Sequence, residues 1–128
     1  MMIKLAVFTK NRSNPAYAAA RLGADRVAAA LGAEVTHYVP ELADDPAQQS
    51  ALVVQALATA PDAFVFTPVH TSKVDAAVAA IGAAGIPIFG FVNRMARGLC
   101  VSYVGSEDTR LAGDIAGYLF KHLGGEGR

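Results

Sequence analysis

Polar side chains follow three apolar, strand-like runs of the sequence, and their types suit the binding of a small ligand. Asn14 and Tyr17 come after the first run, Thr67 after the second, and Asn93 and Arg94 after the third. Amide and guanidinium groups offer hydrogen bonds in a fixed planar geometry, and tyrosine adds an apolar ring face and a hydroxyl. The set fits a polyhydroxylated molecule, whose hydroxyls both donate and accept and whose C–H face packs on a ring.

Each of these side chains also has a purely structural interpretation. Asn14 precedes Pro15, which suits a first helical position, so Asn14 can be a plain helix cap. Tyr17 can be an amphipathic surface residue. Arg94 can be a solvated loop charge.

Other functions of doubly wound proteins require residue patterns that this chain lacks. The segment after the first strand is T-K-N-R-S-N-P, which fits neither a dinucleotide fingerprint nor a P-loop. Ser72 beside His70 is the nearest pair for covalent catalysis, but no G-x-S-x-G turn holds the serine. The three histidines lie on different elements without metal-ligand spacing. We therefore predict no catalytic residue, metal or cofactor, and keep a small enzyme acting through His70 or Ser72 as an alternative.

Composition limits the class of protein further. The chain has 128 residues, 53% of them apolar, which predicts one well-packed domain. Eleven basic and eleven acidic residues cancel without runs of either sign, so no nucleic-acid partner is expected. Cys100 is the only cysteine, which excludes a disulfide framework. No apolar stretch reaches the length of a membrane helix and residues 1–10 lack a signal-peptide pattern, so the chain is expected to be soluble and either cytoplasmic or already trimmed.

Strand-like runs alternate with helical patterns along the chain. Strands are predicted at residues 3–8, 34–39, 63–66, 86–92 and 99–104. Helices are predicted to begin after the caps Asn14, Asp45, Thr71 or Ser72, and Ser106. The first helix is expected to bury Ala20, Ala24, Val27 and Leu31, and the last helix carries Leu111, Ile115, Leu119 and Leu123 along one side.

This order of elements predicts an α/β fold. Strands that are apolar on both faces require a parallel sheet between two layers of helices. Right-handed crossovers then favour a doubly wound sheet with the strand order 2-1-3-4-5. In such sheets ligands bind outside the carboxyl ends of the strands, where the polar residues above are expected.

Several motifs, taken in order, resemble one family. S-N-P-A-Y (13–17), D-P-A-Q-Q (45–49), A-F-V-F-T-P-V (63–69) and G-I-P-I-F-G-F-V-N-R (85–94) resemble the amino-terminal half of a type I periplasmic sugar-binding protein. V-S-Y-V-G-S-E-D (101–108) with L-A-G (111–113) resembles that family's hinge crossing. The resemblance is to the ribose-binding and related receptors of ABC transporters and covers essentially the whole chain. The lac-repressor-type regulators share this lobe and are the alternative.

The resemblance implies ligand-binding roles for Asn14, Tyr17, Thr67, Asn93 and Arg94. It also implies a sugar-like ligand, a membrane permease as partner and a periplasmic location. Thr67 stands where the sugar receptors usually have Asn or Asp, and Asn93 stands where they commonly have Asp. Asn at that position removes a charge-assisted acceptor, and Ala16 replaces what is often a stacking aromatic residue.

The chain is about half as long as the two-lobed members that it resembles. The resemblance therefore implies an amino-terminal ligand-binding lobe at residues 1–105, followed at 106–128 by a hinge crossing, the last helix and a short tail. A fragment, a proteolytic product and a natural single-lobe protein are all compatible with the sequence. Because the last helix belongs to the second lobe in the resembling proteins, its apolar stripe needs another partner, and we predict a homodimer formed through it.

Overall fold

The computed structural model describes residues 1–96 and 99–126, so the last two residues of the predicted tail, 127 and 128, lie outside it. Within this part of the chain, no helix has the length and apolar character needed to cross a bilayer. The described residues form five strands and four helices: β1 (Lys4–Phe8), α1 (Pro15–Leu31), β2 (Glu34–Tyr38), α2 (Pro46–Ala58), β3 (Ala63–Phe66), α3 (Asp75–Ala83), β4 (Ile88–Phe91), β5 (Ser102–Val104) and α4 (Asp108–His122).

The five strands form one parallel sheet in the order β2-β1-β3-β4-β5, as predicted. The apolar runs explain the centre of this sheet: β1 buries Ala6, Val7 and Phe8, and β3 buries Phe64 and Phe66 on one face and leaves Ala63 and Val65 partly exposed on the other. β1 pairs with β2 and with β3, β3 pairs with β4, and β4 pairs with β5. All carboxyl ends therefore lie along one edge, and the loops after β1, β3 and β4 are neighbours.

The main core lies on the sheet face that α2 and α3 cover. Phe8 is at its centre, with its ring 4.8 Å from that of Tyr38, 5.6 Å from Phe64 and 5.0 Å from Phe66, measured between centroids. Val53 and Val78, from α2 and α3, pack on this aromatic cluster. The cluster fixes β1, β2 and β3 relative to one another, and with them the starting points of their loops.

The opposite face of the sheet is only partly covered. α1 buries Tyr17 and Ala28 there, but the prediction that Val27 and Leu31 also pack inward is wrong, because they are 59% and 77% exposed. They flank the buried side of the helix and face a region that no other described element covers. Their exposure reflects this missing neighbour and not the helical pattern itself.

Two of the four helix caps are the ones that the local sequence predicts. Asn14 caps α1 by accepting from the Ala16 amide at 2.9 Å, and Asp45 caps α2 by accepting from the Gln48 amide at 2.7 Å. The predicted caps of the other two helices are wrong, because α3 begins after Val74 and α4 after Glu107, neither with a side-chain cap. The Ser106 hydroxyl donates instead to the Asp108 carboxylate.

α4 stands apart from the rest of the chain. None of its residues is buried, although Leu111, Ile115 and Leu119 form an apolar stripe at helical spacing. The strand that leads into it, β5, is shorter than predicted and begins at Ser102, although the Val101 amide still donates to the Ile88 carbonyl at 2.8 Å.

Candidate functional site

Three loops meet at the carboxyl edge of the sheet. We call residues 9–14 the first loop, residues 67–73 the second loop and residues 92–95 the third loop; they follow β1, β3 and β4 respectively. Because β3 lies between β1 and β4, the second loop lies between the other two. The topology thus brings together the segments that carry the predicted site residues.

The first loop is organised around Asn11, whose side chain is buried. Its Oδ1 accepts from the Asn14 amide at 2.9 Å, and its Nδ2 donates to the Asp44 carboxylate at 3.2 Å. Arg21 reaches back from α1 and donates to the Thr9 hydroxyl at 2.8 Å and to the Asn11 carbonyl at 3.2 Å. These bonds satisfy the polar groups at the end of β1 and fix the start of α1.

Asn14 and Tyr17 lie at the junction of the first loop and α1, in different environments. Asn14 is exposed, but its side-chain oxygen already caps α1. Tyr17 is only 7% exposed, so little of its ring is open to a ligand. Burial and, secondarily, the negative charge of Asp44 raise the pKa of Tyr17, so its hydroxyl stays protonated at neutral pH and is able to donate as well as accept.

The second loop is held by a buried glutamine. Gln49 on α2 has no exposed surface; its Nε2 donates to the Thr67 carbonyl at 2.9 Å and its Oε1 accepts from the Val69 amide at 3.0 Å. Thr67 is fully buried as well, and its hydroxyl has no hydrogen-bond partner among the described residues. Thr67 therefore lies beneath the surface of the site in this conformation.

The third loop begins with a strained turn at Val92. The Asn93 amide donates to the Phe91 carbonyl at 2.9 Å across Val92, whose φ is 66°. This bond and this φ define a classic γ-turn, a conformation that is rare and that a β-branched residue rarely adopts. The turn aims Asn93 at the second loop, where its Nδ2 donates to the Pro68 carbonyl at 3.2 Å.

Arg94 extends into an open groove of about 360 Å³ between the third loop and the start of α4. Its guanidinium donates to the Glu107 carboxylate at 2.5 Å and lies 4.6 Å from the centre of the Tyr103 ring. The Tyr103 hydroxyl in turn donates to the Val92 carbonyl at 2.5 Å. The groove thus combines an aromatic face, a cation and neutral polar groups, and the cation is already paired with a carboxylate of the same chain.

The structure places the five predicted residues in two groups. Asn93 and Arg94 line the groove, whereas Asn14, Tyr17 and Thr67 do not. A role for any of them in binding a ligand stays a prediction.

Four residues that the sequence analysis did not single out shape the site: Asn11, Gln49, Tyr103 and Glu107. Gln49 could have been recognised from the sequence, since it shares the inward face of α2 with Val53 and Ala56, where a polar side chain needs a hydrogen-bond partner.

His70 and Ser72, the alternative catalytic pair, do not hydrogen-bond through the serine hydroxyl. His70 Nδ1 accepts from the backbone amides of Ser72 and Lys73, both at 3.2 Å. The ring therefore stabilises the second loop, and its contact with Ser72 is to the amide, not to the hydroxyl. Within residues 1–96 and 99–126, no group of three or more His, Cys, Asp or Glu side chains is placed to hold a metal ion.

The strain at Val92 leads to a test by paired substitutions. We expect Val92→Gly to be more stable than Val92→Ala by about 0.5–1 kcal/mol, because glycine adopts a positive φ without strain. Chemical denaturation measures both variants. At Val101, which is exposed and has no positive φ, the order should be reversed, with alanine the more stable. Alanine as the more stable variant at both positions would show that the γ-turn does not form in solution.

Comparisons with known proteins agree with this architecture. A sequence profile described as periplasmic binding protein domain matches residues 5–128. No curated protein sequence matches the chain.

Several solved structures share the fold. An ABC transporter periplasmic solute-binding protein from Actinobacillus succinogenes 130z, with bound D-allose, is 27% identical with a TM-score of 0.85, over 98% of this chain and 46% of that one. An ABC transporter solute-binding protein from Agrobacterium vitis, bound with alpha-D-tagatopyranose, is 23% identical with a TM-score of 0.81, over 95% and 44%. A protein from Brachyspira murdochii, described as an ABC transporter, LacI family transcriptional regulator, is 23% identical with a TM-score of 0.83, over 95% and 39%. The chain thus spans less than half the length of these proteins.

Proposed function

The chain belongs to the periplasmic binding protein domain family, and on that basis we propose that it binds a sugar or a similar polyhydroxylated molecule. In this proposal it is the amino-terminal lobe of an ABC transporter solute-binding protein and acts by binding, without chemistry. Two of the three structures described above carry sugars, which supports the ligand class.

The observation that carries the proposal is the surroundings of Arg94. The guanidinium is exposed at the carboxyl edge of the sheet, above the Tyr103 ring and next to Asn93. A ligand hydroxyl can replace the Glu107 carboxylate as the hydrogen-bond partner of Arg94. The side-chain amide of Asn93 can hydrogen-bond to a second hydroxyl. The Tyr103 ring beside the guanidinium adds apolar surface for the C–H groups of the ligand.

The same proposal assigns the remaining roles. Residues 1–105 form the ligand-binding lobe, and residues 106–128 the hinge crossing with the last helix. Asn14 on the first loop would contact the far side of the ligand, and the buried Tyr17 and Thr67 would support the first and second loops from beneath. The partner is a transporter permease in the membrane, and the location is the periplasm.

We expect the isolated chain to bind its sugar weakly, with a dissociation constant around millimolar. One lobe supplies about half of the contacts, and an open groove does not exclude water from the ligand. A thermal-shift panel of D-allose, D-tagatose, D-ribose and L-rhamnose, followed by NMR titration of labelled protein, measures this. At ten times the dissociation constant, a sugar should raise the melting temperature by a few degrees.

Two outcomes of the titration would contradict the proposal. A submicromolar dissociation constant would show a complete site and not half of one. Chemical shift changes confined to residues away from the three loops would place the ligand elsewhere. A ligand response that maps to Asn93 and Arg94 supports the proposal.

A regulator is the second candidate, because the Brachyspira murdochii protein is described as one. A ligand-sensing lobe of a lac-repressor-type regulator would use the same three loops. The two functions differ in their partners, a permease in one case and a DNA-binding segment in the other, and not in the groove itself.

A further inference from the structure

The side chain of Tyr103 lies in a slot that two glycines leave open. Tyr103 is the cross-strand partner of Gly90 in the β4–β5 pair, and a Cβ on Gly90 would lie only 3.4 Å from one edge of the Tyr103 ring. The opposite edge of the ring lies against Gly105, where a Cβ would overlap the ring and its hydroxyl. The two glycines therefore make room for the ring between β4 and the segment that follows β5.

From this slot Tyr103 makes two contacts with the third loop. Its hydroxyl donates to the Val92 carbonyl at 2.5 Å, and the Arg94 guanidinium lies 4.6 Å from the centre of its ring. Both contacts join the third loop to β5, and they lie on either side of Asn93. Tyr103 thus contacts the loop at the two positions that flank a predicted ligand-binding residue.

The contact with Val92 has the larger consequence, because the backbone there is strained. A β-branched residue with a φ of 66° is unfavourable and keeps that conformation only where its surroundings hold it. The Val92 amide donates to the Val104 carbonyl at 3.0 Å, and the Val92 carbonyl accepts from the Tyr103 hydroxyl. β5 therefore holds both backbone polar groups of the strained residue, and loss of the hydroxyl would leave only the amide of these two contacts.

We propose that Tyr103 is a positioning residue of the ligand site, whose hydroxyl holds Val92 in the γ-turn and thereby keeps Asn93 and Arg94 in place for the ligand. This role rests on the proposed sugar-binding function, since it is the sugar that Asn93 and Arg94 are to contact. A loop that is ordered before the ligand arrives loses less conformational freedom on binding, so the affinity is higher. The hydroxyl thus contributes to affinity without touching the ligand.

Tyr103→Phe tests the hydroxyl, because phenylalanine keeps the ring in its slot and beside Arg94. NMR titration with D-allose, D-tagatose, D-ribose and L-rhamnose should show binding weakened about fivefold, the effect of losing one hydrogen bond that holds the loop. In the free protein the Asn93 amide proton should exchange faster by a similar factor, because its bond to the Phe91 carbonyl closes the turn. Tyr118→Phe, which removes the hydroxyl of an exposed tyrosine on α4, is the matched control and should change neither quantity.

A rescue experiment separates positioning from a general loss of stability. Val92→Gly removes the strain, since glycine adopts a positive φ freely. In that background Tyr103→Phe should speed exchange of the Asn93 amide by less than about twofold, because the turn no longer needs to be held. A general weakening of β5 would instead give the same acceleration with valine and with glycine at position 92.

Gly105→Ala is an independent perturbation that keeps the hydroxyl. Gly105 does not have a positive φ, so alanine adds no backbone strain there and acts by displacing the Tyr103 ring. It should weaken sugar binding and speed exchange of the Asn93 amide, as Tyr103→Phe does. Combined with Tyr103→Phe it should speed that exchange no further, because both substitutions remove the same contact with Val92.

The outcomes of these measurements are distinct. Unchanged exchange of the Asn93 amide in Tyr103→Phe would overturn the proposal, and so would equal acceleration in the Val92→Gly background. Faster exchange with unchanged sugar affinity would overturn it as well, because the hydroxyl would then hold the loop without serving the site. A parent chain that binds none of the four sugars would refute the sugar-binding function, whereas exchange in the free protein would still decide whether Tyr103 holds the third loop.

Discussion

Replacing Gln49 with leucine is expected to lower the free energy of unfolding by about 2–4 kcal/mol. Leucine fits the space but cannot hydrogen-bond, so the Thr67 carbonyl and the Val69 amide would lose their partner. Both bonds are made inside the protein, where no water replaces them. Each buried group left unpaired costs about 1–3 kcal/mol.

Chemical denaturation of the parent chain and of Gln49→Leu measures this loss. The adjacent Gln48 offers a matched control, because its Oε1 accepts from the Leu42 amide at 2.9 Å in an exposed setting. Gln48→Leu should cost about 1 kcal/mol or less, since water can take over that bond. Equal losses in the two variants would show that Gln49 acts as an ordinary surface residue.

The same substitution also bears on the site. Gln49 fixes the second loop, and the Pro68 carbonyl of that loop accepts a hydrogen bond from the side-chain amide of Asn93. A looser second loop would leave the third loop without this contact. We therefore expect any sugar response of the folded Gln49→Leu protein to be weaker, even though Gln49 lies outside the groove.

Much of the fold follows from local sequence. β1 and β3 are apolar runs, and β2 alternates as an edge strand does, so the elements and the order β2-β1-β3-β4-β5 could be predicted. Asn14 and Asp45 could be recognised as caps because each stands directly before a proline. In these cases the residue before the proline was sufficient to locate the start of the helix.

The errors concern features that depend on distant neighbours. Val27 and Leu31 fit the inward pattern of α1, but burial also requires a second layer over that half of the sheet. The α4 stripe has the same origin, since periodicity identifies a face and not what covers it. Thr71, Ser72 and Ser106 have cap chemistry, yet α3 begins after Val74 and α4 after Glu107.

The candidate site was predictable in its position and not in its contacts. The polar residues after the strands indicated that the site lies at the carboxyl edge of the sheet. The γ-turn at Val92 has no sequence signature, because valine rarely adopts a positive φ. The ion pair of Arg94 with Glu107 joins residues on either side of β5. Only the three-dimensional path of the chain shows that they meet.

Arg94→Ala is expected to weaken sugar binding at least tenfold while changing the free energy of unfolding by no more than about 0.5 kcal/mol. Arg94 and Glu107 are 64% and 72% exposed, and an ion pair so open to water contributes little to stability. A hydrogen bond from the guanidinium to a ligand hydroxyl is charge-assisted and therefore stronger than a neutral one. NMR titration with D-allose, D-tagatose and D-ribose measures binding, and chemical denaturation measures stability.

Two further variants separate a ligand contact from a change in overall charge. Arg110→Ala also removes an exposed arginine with a carboxylate partner, Asp114 at 3.7 Å, but it lies on α4 and should leave binding unchanged. Glu107→Gln removes the carboxylate that holds Arg94 in the unliganded chain, so it should strengthen binding, because the ligand no longer displaces a charged partner. Identical titrations for Arg94→Ala and the parent chain would reduce Arg94 to a solvated loop charge. Weaker binding in Glu107→Gln would instead mean that the ion pair itself shapes the groove for the ligand.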